Sequence, residues 1–202
     1  MTRIYSICFY TNSDRNMMIE CKTNGQNCSR VYSSIQGVPF SIPDMSALKI
    51  LTSVSIYSRE DSILYSIDID AFSGLERLQY LRLENCIIRS KSSTIELPSG
   101  LTALNIKYCS STTIDYDSIL LSVPVSIRHL VILDLDCTAV TVPSVRTDLV
   151  HLVEIALKGY TNAAMIQSLI ESAEQLSTIV LNDIEDSVHC LLESISRHTT
   201  VE

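Results

Sequence analysis

Leu75-Glu76-Arg77-Leu78-Gln79-Tyr80-Leu81-Arg82-Leu83-Glu84-Asn85-Cys86-Ile87-Ile88 is the stretch on which the fold turns. Its centre, Leu81-x-Leu83, reads as a short strand. Strand side chains alternate, so Leu81 and Leu83 point one way and Arg82 the other. Leu75, Leu78 and Ile88 turn inward from the adjoining turns. One such unit cannot bury this set alone, and the pattern requires neighbours stacked on it.

The neighbours are present. Leu101-x-x-Leu104-x-Ile106-x-x-Cys109 follows, then Leu130-x-x-Leu133-x-Leu135-x-x-Thr138-x-Val140. Weaker copies are Leu51-x-x-Val54-x-Ile56-x-x-Arg59, Leu152-x-x-Ile155-x-Leu157-x-x-Tyr160 and Leu176-x-x-Ile179-x-Leu181-x-x-Ile184. The first apolar residue of each central pair marks the period: Val54, Leu81, Leu104, Leu133, Ile155 and Ile179, in steps of 27, 23, 29, 22 and 24. A single match could come from any amphipathic segment, but six in series at a constrained period cannot.

The units resemble the leucine-rich-repeat consensus LxxLxLxxN/CxL, with Cys86 and Cys109 in the Asn/Cys slot. The resemblance covers about residues 45–190. It implies an α/β solenoid, with a curved parallel sheet on the concave side and helices and irregular crossovers on the convex side. In that family the slot side chain hydrogen-bonds the turn leaving the strand, which Cys or Thr does more weakly. Arg59, Tyr160 and Ile184 depart from the pattern, so the ladder is expected to be irregular at its ends.

The connections differ along the chain. Ala71-Phe72-Ser73-Gly74-Leu75 resembles the AFxxL segment of the typical extracellular subclass, which includes the Toll-like receptors. Ile95 to Gly100, with Pro98, reads as a non-helical crossover. Further on, Ile166, Leu169, Ile170 and Ala173 have the spacing of an amphipathic helix, with Thr161 or Asn162 as its cap. Val188, Leu191, Leu192 and Ile195 repeat that spacing after Glu185 and Asp186, which suit a helix N-terminus. These stretches resemble the helix-bearing repeats of intracellular members such as F-box adaptors, although no F-box precedes them.

Three segments are expected: residues 1–44 as an N-terminal cap built on a β-hairpin, 45–184 as about six repeats, and 185–202 as a helical cap. In the first, Ile4 to Tyr10 would pair with Met17 to Lys22 around Asn12-Ser13-Asp14. A disulfide between Cys8 and Cys21 resembles the cap of secreted members, as does Val38 to Pro43 leading into the first repeat. Reduced thiols remain the alternative there. Asn27-Cys28-Ser29 fits a glycosylation sequon, a tripeptide common by chance.

Composition narrows the function. Of 202 residues 46% are hydrophobic, enough for a core, and the net charge is -8. Lys and Arg are scattered, with no two adjacent, which argues against a nucleic-acid duplex or a polybasic membrane contact. No membrane-spanning segment is expected: the longest apolar stretch, Ile119 to Leu135, is broken by Arg128, His129 and Asp134. Met1 to Tyr10 lacks the apolar stretch of a signal peptide. The expectation is a protein that stays inside its cell, or a secreted one without its leader.

No metal, cofactor or enzyme activity is expected. The seven cysteines include no CxxC pair, and no GxSxG, HExxH or phosphate loop occurs. Asp134 and Asp136 could be read as paired carboxylates, yet in this frame they are outward positions of a strand. His129, His151, His189 and His198 are scattered, and Cys86 and Cys109 read as buried turn residues.

The sheet's outward residues then become the candidate site: Ser53, Ser55, Tyr57; Tyr80, Arg82, Glu84; Ala103, Asn105, Lys107; Ile132, Asp134, Asp136; Glu154, Ala156, Lys158; and Thr178, Val180, Asn182. Tyr and Arg are favoured binding anchors. The expectation is a non-catalytic module that binds a protein through Tyr57, Tyr80, Arg82, Glu84, Asn105, Lys107, Asp134, Asp136 and Lys158. The alternative is a structural scaffold subunit of a larger intracellular assembly.

Overall fold

Each unit contributes a five-residue strand, and after five of these strands the chain passes, among the described residues, into a residue with left-handed backbone. The computed structural model describes residues 4–11, 17–23, 27–32, 50–57, 65–91, 95–137, 146–160 and 162–183. The described residues are α/β, with two largely parallel sheets and few helices.

The first three strands are β1 (Ile4–Thr11), β2 (Met17–Thr23) and β3 (Asn27–Tyr32), with β2 antiparallel to both of its neighbours. Next come β4 (Ser53–Tyr57), β5 (Tyr65–Asp68), β6 (Tyr80–Glu84), β7 (Cys86–Arg89), β8 (Ala103–Lys107) and β9 (Ser110–Ser111). The last four are β10 (His129–Leu133), β11 (Asp136–Cys137), β12 (Glu154–Lys158) and β13 (Thr178–Asn182). The large sheet has the order β13-β12-β10-β8-β6-β4-β1-β2-β3, and the small one β11-β9-β7-β5. Spatial order follows chain order from β4 to β13, with every neighbouring pair parallel.

β1 does more than form the expected hairpin with β2. It also pairs in parallel with β4, Ile7 against Val54 and Phe9 against Ile56, and so extends the parallel series by one strand. The hairpin register sets Ile7 against Cys21 and Cys8 against Glu20. The two cysteines of the expected disulfide are thus one residue out of step, and across β2 and β3 it is Cys28 that is registered with Cys21.

The ladder repeats at both ends of the strands. Two N–H groups before each strand share one carbonyl of the preceding unit. Gln79 and Tyr80 donate to Thr52 O, Thr102 and Ala103 to Gln79 O, Arg128 and His129 to Thr102 O, Val153 and Glu154 to Arg128 O, and Ser177 and Thr178 to Val153 O. After the strands, the chain turns at Asn85, Tyr108, Asp134, Gly159 and Asp183, all with φ between 51° and 74°. Asn, Asp and Gly tolerate that region, whereas tyrosine rarely visits it.

This spacing corrects the sequence frame of one unit. Leu130 and Ile132 are buried and registered with Leu104 and Ile106, so the fourth unit is Ile127-x-x-Leu130-x-Ile132-x-x-Leu135, three residues earlier than expected. The markers become 54, 81, 104, 130, 155 and 179, in steps of 27, 23, 26, 25 and 24. Both frames fit LxxLxL. The expected one would bury Thr138 where the observed one buries an aliphatic side chain, worth about 2 kcal/mol. It would also force Cys137, not Asp134, into the left-handed turn, which costs about 1–2 kcal/mol. Both terms favour the observed frame.

The interior is one cluster of Leu, Ile and Val from successive units, closed by Phe72 of a 3-10 turn at Ile69–Phe72. Among the described residues, two α-helices connect strands. α1 (Tyr116–Ser122), which the sequence reading missed, starts where Asp115 accepts from the Ser118 N–H at 2.6 Å. α2 (Ala163–Ser172) lies where the apolar spacing places it, capped by Asn162 through the Met165 N–H. The stretch expected to form the last helix, 185–202, lies outside the described residues.

The slot residues show how the irregular units are satisfied. Cys86 Sγ donates to Ile56 O and Glu84 O, and Cys109 Sγ to Leu83 O and Lys107 O. Two units on, the slot holds Tyr160, whose hydroxyl turns away to the buried Asp117. Tyr116 of α1 takes over: its hydroxyl reaches Ile132 O at 3.2 Å and Lys158 O at 2.6 Å, the equivalent two carbonyls. The rings of Tyr116 and Tyr160 lie 4.9 Å apart.

Tyr116→Phe leaves those carbonyls without their donor and should lower stability at neutral pH by about 1–3 kcal/mol in urea denaturation. Burial pushes both phenols above their ordinary range, and at Tyr160 Asp117 adds to it. A phenol whose folded pKa is raised contributes stability that is complete below pH 10 and lost as pH rises further. The urea midpoint should therefore fall above about pH 10, and fall less in a Tyr116→Phe, Tyr160→Phe double variant.

Candidate binding face

Alternation along the strands leaves one face of the large sheet opposite the core, and parallel register arranges its side chains in rows. The first row runs Ser53, Tyr80, Ala103, His129, Glu154, Thr178. The second is Ser55, Arg82, Asn105, Val131, Ala156, Val180. The third includes Tyr57, Glu84, Lys107 and Leu133, with Lys158 beside Asn182.

Seven of the nine residues expected at the site lie on this face: Tyr57, Tyr80, Arg82, Glu84, Asn105, Lys107 and Lys158. Asp134 and Asp136 do not, and Ile132 is fully buried in the core. Asp134 occupies the turn after β10, at the rim, and Asp136 belongs to the small sheet. The frame shift that displaces them brings His129, Val131 and Leu133 onto the face. The signal for those three was the evenness of the period, together with Asp134, rather than Cys137, standing where the left-handed turn falls.

The face divides into two halves. Over β4 and β6 it is polar and internally paired. The Arg82 guanidinium lies 5.3 Å from the Tyr57 ring centroid, and its Nε donates to Glu84 at 3.0 Å. Such a pre-ordered stack of Arg on Tyr presents a flat, amphipathic surface. From β8 to β13 the middle is apolar: Val131, Leu133, Ala156 and Val180 line a depression of about 560 Å3, with Tyr80, Asn105, Lys107, His129 and Glu154 around them.

Most charges around the depression are matched. Lys158 Nζ is 2.9 Å from Asp134, which holds its ammonium above the usual range. His129 Nδ1 lies 3.1 Å from Glu154 Oε2. Lys107 takes part in none of the ion pairs among the described residues. Asn105 Oδ1 is buried, with no hydrogen-bond partner among them.

Tyr108 stands at the rim, 55% exposed, in the left-handed turn that the equivalent positions fill with Asn, Asp or Gly. More than half of its surface is exposed, so the fold gains little from this strained choice. Exposed aromatic side chains held on a fixed backbone are favoured contact residues.

The thiols have a different character. A hydrogen bond with Cys109, and burial, push the Cys86 thiol far up, so it stays protonated and unreactive. Among the described residues, no three His, Cys, Asp or Glu side chains are grouped to hold a metal ion. No described helix is long and apolar enough to cross a membrane.

Replacing Tyr108 with Asn should relieve the turn. Thermal unfolding should show stability unchanged or raised by up to about 1 kcal/mol. A clear loss would mean that the ring supports the fold.

Comparison with known proteins finds no family model that matches the sequence, no matching curated protein and no matching solved structure.

Proposed function

We propose that this chain is a leucine-rich-repeat solenoid that recognises a protein partner through its concave face and catalyses no reaction. The supporting observation is the composition of that face. An Arg–Tyr stack and an apolar strip lie side by side on strands that, apart from the edge strand β13, are paired on both sides. Anchors of this kind dominate protein interfaces when they are held rigid. Asp134 and Asp136, the one carboxylate pair with a chemical reading, are divided between the rim and the small sheet. A mixture of carboxylates and cations suits a protein surface better than a phosphate backbone.

Arg82→Glu and Val180→Glu, on opposite halves of the face, test this. Partners retained by the wild-type chain from its native source should be lost by roughly tenfold or more with either variant, while far-UV circular dichroism stays unchanged. Undiminished retention by both variants would remove this face and favour contacts through the ends of the array, as in a scaffold subunit.

A further inference from the structure

The depression over β8 to β13 has a definite polarity. Its floor is aliphatic, from Val131, Leu133, Ala156 and Val180. Beside that floor sit two unmatched groups of opposite need. Asn105 Oδ1 is a buried acceptor without a donor, a costly arrangement unless something supplies one. Lys107, on the same strand, is a cation with no ion-pair partner among the described residues. Strand geometry puts Asn105 and Lys107 on the same side, roughly 7 Å apart.

From this arrangement we propose that the depression binds an extended peptide segment of the partner, in which an aliphatic side chain stands within two residues of a carboxylate. The proposal rests on the concave face being the recognition surface. The aliphatic side chain covers the Val131–Leu133 floor, the carboxylate pairs with Lys107, and the Asn105 amide turns so that Oδ1, closed to solvent in this structure, accepts from a peptide N–H. Two residues along an extended chain span about 7 Å, which matches the spacing of the two polar groups. The volume lies within the roughly 300–1,000 Å3 of ligand pockets.

Charge complementarity selects this occupant. The other cation on this half of the face, Lys158, is neutralised by Asp134, and Glu154 stands beside His129. One open cation matches one carboxylate. A nucleic-acid strand or an anionic lipid surface would bring several negative charges against Glu154 and Asp134, with only Lys107 to meet them.

The test uses the immobilised 202-residue chain and filamentous phage displaying random linear dodecapeptides. The expected result is enrichment of peptides with Leu, Ile or Val within two positions of Asp or Glu. Those peptides should bind Lys107→Glu roughly tenfold more weakly or worse. Selection on Lys107→Glu itself should replace the acidic position with Lys or Arg, a reversal that only a folded variant can show. Should Lys107→Glu fail to fold, Lys107→Gln should abolish the acidic preference while keeping the aliphatic one.

Enriched peptides without an acidic position, or with affinity indifferent to Lys107, would overturn the proposal, as would the absence of any enriched peptide. The broader reading is separable. Peptides that lack the acid yet are lost on Arg82→Glu or Val180→Glu would leave the face as the recognition surface with a different ligand. Peptides indifferent to all three substitutions would sink both.

Discussion

A strand in this sheet has hydrogen-bond partners only because the chain comes back alongside it at a fixed interval. Between one unit and the next, a single carbonyl receives two N–H groups before the strand, and the turn residue's N–H reaches forward after it: Asn85 to Lys107 O, Tyr108 to Leu133 O, Gly159 to Asn182 O. A backbone group left unpaired in the interior costs about as much as a lost hydrogen bond. The ladder therefore holds the interval nearly constant, at 23 to 27 residues, while the connections between strands change from 3-10 turn to α-helix. The connections are free to vary because the ladder does not involve them.

The same constraint explains where substitution is tolerated. The position after Leu83 and Ile106 needs a donor aimed at two carbonyls, and a thiol suffices. After Leu157 the slot holds Tyr160, whose reach carries its hydroxyl past those carbonyls to Asp117. Tyr116, delivered from α1, restores the donor from a neighbouring connection. In these units the donor is tied to the carbonyls rather than to a sequence position, so a residue more than forty positions away can supply it, whereas the fourth unit fills its slot with Leu135 and no side-chain donor. That is also why no consensus slot reveals it.

Most of the apolar frame was legible because it depends on local alternation. Leu81 and Leu83, Leu104 and Ile106, and Ile155 and Leu157 are buried where alternation puts them. The frame failed at Leu130 to Leu135, where five of six residues are apolar and alternation has no contrast to work with. There the turn decides, through backbone conformation at Asp134, and only a comparison of intervals exposes it. The candidate site inherited that error: Asp134 and Asp136 looked outward in the wrong frame, while Val131 and Leu133 looked like core. Helix α1 was hidden for a related reason, since its last four residues, Ile119 to Ser122, open the long apolar stretch that runs on to Leu135. The positions of Arg82 and Asn105 were readable, because each stands between two leucines or isoleucines that fix its face, and Lys107 follows Ile106 in the same alternation.

What the sequence could not show is which outward residues satisfy one another. Arg82 and Glu84 are two apart on one strand and close their own pair, leaving little free charge despite their exposure. Lys158 and Asp134 do the same across neighbouring units. Lys107 stands in register beside Glu84, the natural partner, but Arg82 already holds that carboxylate. Two nitrogens of the guanidinium, backed by Tyr57, converge on one oxygen of that carboxylate and outcompete a flexible ammonium for it. An intramolecular contest over one glutamate thus leaves one cation available, and the specificity of the face follows from which residue lost.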